Sequence, residues 1–223
     1  RMVLEEIGAE YRDEVVQLQD SAFRDEEFLR LNPRGMVPVL ADERSGAVLS
    51  ETGAILSFLA EQSGQLSPDP SDAKARALYL QRLFFLSNTL HADAQIQYYT
   101  QRYVGEQLAD NVRPRMHDRM RSHFQMLDSA IEEHGGPWLI GSQLSMCDFY
   151  LGGCARWSLI APSHAPLEQE AITRLPHLSA LLERLENRES VQRAFDAEET
   201  PRSKYFRAPV RSNRTLHGDR QGT

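Results

Sequence analysis

The stretch of sequence that decides the fold is LNPRGMVPVLADERSGAVLSETGAILSFLA, residues 31–60. Its Asn-Pro-x-Gly segment at 32–35 is a turn signal, which ends one element and redirects the chain. The apolar run at 37–40 predicts a strand, and because Pro38 cannot donate to a sheet ladder, it must lie at the beginning or edge of that strand. An X-Pro bond at such a place is a candidate for the cis isomer, which is rare elsewhere.

A second short strand and a helix complete this stretch. Residues 47–49 are apolar and follow a turn sequence at 43–46, so the two strands are predicted to pair. Residues 51–53 then open a helix whose apolar side chains recur at helical spacing. The free N–H groups of that helix start, with the carboxylate of Glu51 and the hydroxyl of Thr52, make a site for a small zwitterionic ligand.

These motifs resemble the glutathione-binding half of the glutathione S-transferase family. The family pattern is Asn-Pro-x-Gly-x-Val-Pro, a strand pair and then Glu-Ser/Thr-x-Ala-Ile, and the chain has matching residues at 32–38 and 51–55. The resemblance implies an α/β domain of thioredoxin-like fold over residues 1–64, lacking its first strand. An all-α C-terminal domain of the glutathione S-transferase type would follow over 72–199.

The beginning of the chain predicts a truncated first domain. The sequence predicts the last two turns of a helix before Gly8, a short strand at 14–18 and a short helix at 25–31. In the family, a central strand and the Tyr, Ser or Cys that activates the glutathione thiol would precede Arg1. A sheet without that strand would expose ladder groups on its neighbours, so we expect about 15–25 further residues in the natural protein.

Long helical patterns follow a proline-rich linker at 63–71. One helix is predicted over 73–103 and another over 107–134. The next helix begins at a capping box in which Ser145 is the N-cap and Asp148 the acidic residue three positions later.

The end of the chain contains two further helix signals and a polar tail. Pro176 starts one helix, and Ser190 is predicted to cap a last helix that ends at residue 197. Residues 200–223 have almost no apolar periodicity, which predicts a flexible tail, with a docking segment as the alternative.

The resemblance assigns glutathione contacts to four residues of the first domain. A cis Val37-Pro38 bond would turn the Val37 backbone toward the cysteinyl part of glutathione. The hydroxyl and amide of Thr52 would bind the γ-glutamyl carboxylate, and Glu51 its ammonium group. The alternatives are an ordinary trans proline at a strand entry, and plain helix capping by Thr52 with an acid that suits the helix dipole.

Three residues of the predicted 73–103 helix complete the candidate site. Bacterial-type members of the family often carry a histidine at the place of His91, where it would face the glutathione thiol and stabilise a thiolate. The alternative is a helix-surface or hydrogen-bonded core histidine. Tyr98 and Tyr99 would line a pocket for an apolar electrophile, with core or interface packing as the alternative.

Composition narrows the possible partners. The net charge of -7 makes nucleic acid an unsuitable partner, and no apolar run approaches the length of a membrane span.

Cys147 and Cys154 lie two helical turns apart, about 10 Å, which is too far for a disulfide. We therefore expect buried thiols and a reducing cytoplasm. A lowered thiol pKa at the helix start is the alternative for Cys147. The histidines and cysteines lack metal-ligand spacing, so no metal site is predicted.

The resemblance implies an enzyme that adds the thiolate of glutathione to an electrophilic carbon of a small apolar molecule. Glutathione would be a co-substrate, without a permanently bound cofactor. We also expect a homodimer in which the first domain of one chain packs on the helical domain of the other. Two alternatives stay open: a non-catalytic module in protein assembly or regulation, and glutathione-dependent isomerisation, dehalogenation or reduction at the same site.

Overall fold

The structure, a computed structural model, describes residues 1–16, 26–160, 166–197 and 206–207. The elements of the first part are α1 (Met2–Glu6), α2 (Glu26–Leu31), β1 (Val39–Asp42), β2 (Ala47–Ser50) and α3 (Thr52–Ser63). The helices of the second part are α4 (Ala73–Phe85), a π-helical segment (Leu86–Leu90), α5 (His91–Tyr98), α6 (Thr100–Val104), α7 (Glu106–His134), α8 (Met146–Ser158), α9 (Glu170–Thr173), α10 (Pro176–Glu186) and α11 (Glu189–Ala197).

The predicted hairpin is present. β1 and β2 pair antiparallel, with Val39 opposite Ser50 at one end and Asp42 opposite Ala47 at the other. Because proline cannot donate to the ladder, β1 begins one residue after Pro38, two residues later than predicted. In the turn, Asp42 accepts a hydrogen bond from the Ser45 backbone at 3.1 Å, which closes the hairpin.

The strand predicted at 14–18 is wrong for the residues that the structure describes. Residues 14–16 have no regular secondary structure, and 17–18 lie outside the described ranges. The side chain of Val15 is 84% exposed, so this residue lacks the packed neighbours that stabilise a strand. In the described part of the chain, the sheet therefore has two strands.

The single helix predicted over 73–103 is interrupted twice. A π-helical segment separates α4 from α5, and Tyr99, with φ -110° and ψ 34°, separates α5 from α6. The hydroxyl of Thr100 donates to the Ile96 and Gln97 carbonyls, both at 2.9 Å, and so competes for the backbone acceptors at this break. Apolar periodicity continues through both interruptions, and the sequence pattern therefore does not reveal them.

The helix predicted over 107–134 is confirmed as α7, one residue longer at its start. It contains Pro114 and ends before Gly135, whose φ of 62° suits a glycine that closes a helix. Its buried side chains recur at intervals of three and four residues and form one face toward the core: Met116, Met120, Phe124, Leu127 and Ile131.

The capping box at the start of α8 is confirmed. The carboxylate of Asp148 accepts hydrogen bonds from the backbone N–H groups of Leu139 and Ser145, each at 2.8 Å. Burial raises the pKa of Asp148 to about 6, and the hydrogen bonds from Leu139 and Ser145 oppose that rise. Nearly the whole of α8 is buried, including the free thiols of Cys147 and Cys154, and this helix lies at the centre of the core.

Pro176 occupies the first turn of α10, as predicted, but Ser190 is not the N-cap of the last helix. α11 begins one residue earlier, at Glu189, and the Ser190 hydroxyl donates to the carboxylate of Glu6 in α1. The predicted cap at Ser190 is wrong because this hydroxyl bonds Glu6, which lies at the other end of the chain.

Two residues of the predicted flexible tail are docked. The Phe206 side chain is fully buried, with its ring 5.7 Å from that of Phe195, and its backbone N–H donates to Glu186 at 2.8 Å. Arg207 donates to the same carboxylate at 2.7 Å. The remaining tail residues, 200–205 and 208–223, lie outside the described ranges.

Over the described ranges, no helix combines the length and apolarity needed to cross a membrane. The same ranges contain no group of three or more His, Cys, Asp or Glu side chains arranged to hold a metal ion.

Candidate functional site

The loop before β1 brings Val37 to the surface beside the hairpin. The Asn32 side chain donates to the Met36 carbonyl at 2.7 Å and accepts from the Arg34 backbone at 3.2 Å, which fixes the turn sequence. The Val37-Pro38 bond is cis, as predicted, and Val37 is exposed.

The start of α3 has an unusual backbone. Glu51, which precedes the first helical residue Thr52, has φ 72° and ψ 116°, a conformation that residues other than glycine rarely adopt. Its side chain does not cap the helix. Thr52 is the first residue inside the helix, so it is not the N-cap that plain capping would require. Strained backbone of this kind is concentrated at ligand-binding and catalytic sites.

The Glu51 carboxylate lies beside a cation from the preceding loop. Arg34 donates to it, and both side chains are largely exposed, so the pair contributes little to stability. A ligand ammonium group can therefore replace or join Arg34 at this carboxylate at small cost.

His91 is the first residue of α5, directly after the π-helical segment. Its Nδ1 is 2.8 Å from the Tyr150 hydroxyl, and its ring meets those of Tyr150 and Trp157 edge to face, at centroid distances of 5.6 and 5.2 Å. Burial lowers the pKa of His91, and the Glu51 carboxylate opposes that shift only in part. The imidazole is therefore neutral at neutral pH.

A cavity of about 310 Å³ is lined by one residue from each half of the predicted site, and Val37, Pro38 and Glu51 are not among its lining residues. Thr52 from the start of α3 and His91 from α5 both line it, although they are distant in sequence. Its other walls are mostly apolar and come from Arg1 and from α1, α3 and α8: Met2, Val3, Leu56, Phe149, Tyr150, Gly153, Cys154 and Trp157. Such a space suits a small ligand with one polar end.

Tyr98 and Tyr99 do not line this cavity themselves. Their rings lie 5.4 and 6.2 Å from that of Trp157, which does line it, and Arg102 stacks over Tyr99 at 4.1 Å. The two tyrosines therefore form an aromatic layer behind Trp157.

The sequence pattern does not identify α8 as a wall of the cavity. Phe149, Gly153 and Trp157 recur every four residues and share one face of that helix, which borders the cavity. This spacing is visible in the sequence, but it is equally typical of a core helix, so only the structure identifies the face as a cavity wall.

The cysteines of α8 are not activated thiols. Burial raises the pKa of both Cys147 and Cys154 well above the ordinary value, so neither forms a thiolate at neutral pH. The alternative of a lowered thiol pKa for Cys147 is therefore wrong, because desolvation outweighs the effect of the helix start.

Two family models match the chain, one described as "Glutathione S-transferase, N-terminal domain" over residues 1–62 and one as "Glutathione S-transferase, C-terminal domain" over residues 88–196. The chain is 31% identical over 155 residues to glutathione S-transferase D7 of Drosophila melanogaster, which covers 68% of this chain and 65% of that protein.

Solved structures of bacterial proteins are similar over nearly the whole chain. A sphingomonad glutathione S-transferase complexed with glutathione is 28% identical with a TM-score of 0.70, covering 90% of this chain and 92% of that one. A beta-class glutathione S-transferase of Sphingomonas chungbukensis is also 28% identical, with a TM-score of 0.69 and coverage of 88% and 91%.

Proposed function

The chain belongs to the glutathione S-transferase family, and we propose that it conjugates glutathione to small electrophilic molecules. Its fold is the one that defines this family, a thioredoxin-like domain followed by an all-helical domain. The observation that carries the proposal is the shared cavity of Thr52 and His91, which lies between the start of α3 and the helices of the second domain.

The start of α3 supports binding of the γ-glutamyl group. Free N–H groups and the positive end of the helix dipole attract its carboxylate, and the Thr52 hydroxyl adds a donor. The Glu51 carboxylate would pair with the ammonium group in place of Arg34. The Val37 backbone, beside the cis bond, would hydrogen-bond the cysteinyl part.

His91 supports the chemistry of the thiol. Since its imidazole is neutral, it can donate one N–H hydrogen bond to the sulfur and so favour the thiolate over the thiol. In the reaction, the thiolate attacks an electrophilic carbon, a carbon–sulfur bond forms, and the leaving group departs with its bonding electrons. The proton of the thiol passes to solvent.

The aromatic layer supports a small apolar electrophile as the second substrate. Trp157 lines the cavity, and Tyr98 and Tyr99 pack behind it. Aromatic rings bind flat apolar molecules through large contact areas and preferred ring geometries.

Calorimetric titration of the full-length protein with glutathione tests the proposal. We expect millimolar or tighter affinity, and turnover with an aryl halide electrophile. Cysteinylglycine, which lacks the γ-glutamyl group, is the matched control ligand and should bind much more weakly. Absence of glutathione binding would refute the transferase and favour the non-catalytic module in assembly or regulation.

An exposed apolar pair on α4 supports a homodimer as a further part of the proposal. Leu80 and Phe84 are 42% and 58% exposed and lie one helical turn apart on the same face. Sedimentation equilibrium of the full-length protein should give a dimer, and Phe84→Asp should shift it toward monomer. A wild-type protein that sediments as a monomer at micromolar concentration would contradict this part.

A further inference from the structure

The contact between His91 and Tyr150 joins two elements across the cavity wall. Tyr150 is buried in α8, and its hydroxyl lies 2.8 Å from Nδ1 of His91. The rings of Tyr150 and Trp157 meet the imidazole edge to face, so one helix restricts both its position and its orientation. The π-helical segment Leu86–Leu90 ends directly before His91, and such segments are frequent at functional sites.

A neutral imidazole carries one N–H and one acceptor nitrogen, so the Tyr150 contact selects which nitrogen holds the proton. A phenol is a stronger donor than a neutral imidazole, and an imidazole nitrogen is a stronger acceptor than a phenol oxygen. Burial raises the pKa of Tyr150, which keeps its hydroxyl protonated. Tyr150 is therefore the donor and Nδ1 the acceptor.

The other titratable or charged groups around His91 do not reverse this assignment. Arg1 and Cys154 line the same cavity, and Glu51 acts on His91 from the start of α3. The Cys154 thiol stays protonated because burial raises its pKa. Glu51 favours a charged imidazole, but burial has the larger effect on His91.

We propose that Tyr150 is a positioning residue, whose hydroxyl donates to Nδ1 of His91 and keeps the proton of the imidazole on Nε2. The Nε2–H group is then the hydrogen-bond donor that His91 offers to the sulfur of glutathione. The opposite tautomer would present an unprotonated nitrogen, which repels a thiolate. This inference rests on the proposed function, because the donor matters only if a thiolate forms in the cavity.

Nuclear magnetic resonance of protein labelled with 15N-histidine tests the tautomer without any substrate. The full-length protein should show His91 neutral with its proton on Nε2, and His91→Gln assigns the signal. Tyr150→Phe should shift the Nδ1 resonance toward that of a nitrogen without a hydrogen bond. Tyr79→Phe removes another buried hydroxyl outside the cavity and should leave the resonance unchanged. A proton found on Nδ1 in the wild type would overturn the inference.

The thiol pKa of bound glutathione, followed by thiolate absorbance, tests the role in the reaction. Tyr150→Phe should raise this pKa by about half a unit to one unit, the value of one hydrogen bond. The same substitution should lower kcat/KM about three- to tenfold with an aryl halide, through kcat rather than the KM for glutathione.

A double-mutant cycle distinguishes positioning from general packing. In a His91→Gln background, Tyr150→Phe should have no further effect on the thiol pKa, because its action passes through His91. An equal loss in both backgrounds would overturn the positioning role. Failure of the wild type to bind glutathione would instead refute the proposed function, while the resonance experiment still decides the tautomer.

Discussion

The beginnings of α3 and α8 are built in opposite ways. At α8, the side chains of Ser145 and Asp148 form a capping box that pairs the backbone N–H groups of the helix start. The Asp148 carboxylate also accepts a hydrogen bond from the Leu139 backbone N–H. At α3, the preceding residue Glu51 has a positive φ and leaves the first turn without a side-chain cap. The first arrangement is buried and stabilises the core, whereas the second faces a cavity.

The difference follows from where each helix start can find hydrogen-bond partners. A helix start buried in the core must be capped by the protein, because an unpaired buried donor costs about 1–3 kcal/mol. A start beside a cavity can leave its N–H groups to water or to an anionic ligand. Stability effects should therefore be concentrated at α8 and binding effects at α3.

Removal of the capping carboxylate at α8 should have the largest effect on the free energy of unfolding. Asp148→Ala leaves the N–H groups of Leu139 and Ser145 without their acceptor, so we expect a loss of about 3 kcal/mol in the free energy of unfolding. Urea unfolding at neutral pH measures this change. As the matched control, Asp110→Ala removes an exposed carboxylate and should change stability by less than about 0.5 kcal/mol. Similar values for the two variants would show that the α8 cap is dispensable.

Side-chain substitutions at the start of α3 should weaken glutathione binding and have little effect on stability. Glu51→Ala or Thr52→Ala should weaken glutathione binding about ten- to a hundredfold, since charge-assisted hydrogen bonds are worth about 1.5–3 kcal/mol each. Stability should change by less than about 1 kcal/mol, because neither side chain caps the helix. Calorimetric titration and urea unfolding measure the two effects.

The controls for α3 lie in the same helix, away from the cavity. Glu61→Ala removes an exposed acid, and Ser63→Ala removes a hydroxyl near the end of the helix. Both should bind glutathione like the wild type. Weakened binding in these variants would mean that the binding site is not confined to the helix start.

Glu51→Gly separates backbone strain at position 51 from the loss of the carboxylate. Glu51→Gly relieves the positive φ, and after the entropy cost of glycine we expect a gain of about 1 kcal/mol in stability. Glutathione affinity should fall as in Glu51→Ala, because the carboxylate is lost in both. If Glu51→Gly is no more stable than Glu51→Ala, the backbone at this position stores no strain.

The beginning of α11 differs from both, because residues there bond a side chain of another helix, Glu6 of α1. Glu6 accepts hydrogen bonds from Arg188 and Ser190. Burial raises its pKa, but these bonds and the charges of Arg188 and Arg193 together lower it below the ordinary 4.5. Because the pKa is lowered in the folded state, this stabilisation is present above the unfolded pKa and is lost as pH falls through the folded pKa. Glu6→Gln should therefore cost about 1 kcal/mol at neutral pH.

Urea unfolding across the acidic range measures this effect. The difference between Glu6→Gln and the wild type should shrink as the pH falls below the ordinary carboxyl pKa and through the lowered pKa of Glu6. Glu189→Gln removes an exposed acid at the same helix start and should cost less than about 0.5 kcal/mol at any pH. A constant difference for Glu6→Gln would show that packing rather than charge is responsible.

Local signals in the sequence predicted much of the fold. The hairpin, the cis bond before Pro38, the capping box of Asp148 and Pro176 in the first turn of α10 were all predicted. Each depends on the backbone and on side chains a few residues apart, which short motifs encode directly. The placement of Glu51 and Thr52 at a helix start followed from the same kind of pattern.

Contacts between residues far apart along the chain exist only in the tertiary structure. Tyr150 of α8 contacts His91, Ser190 donates to Glu6, and Phe206 packs on Phe195. No motif marks these residues, because the hydrogen bond or ring contact exists only when two distant segments are folded against each other. Local motifs therefore predict most of the elements and the helix start at Thr52, whereas the cavity that joins Thr52 to His91 exists only in the packed molecule.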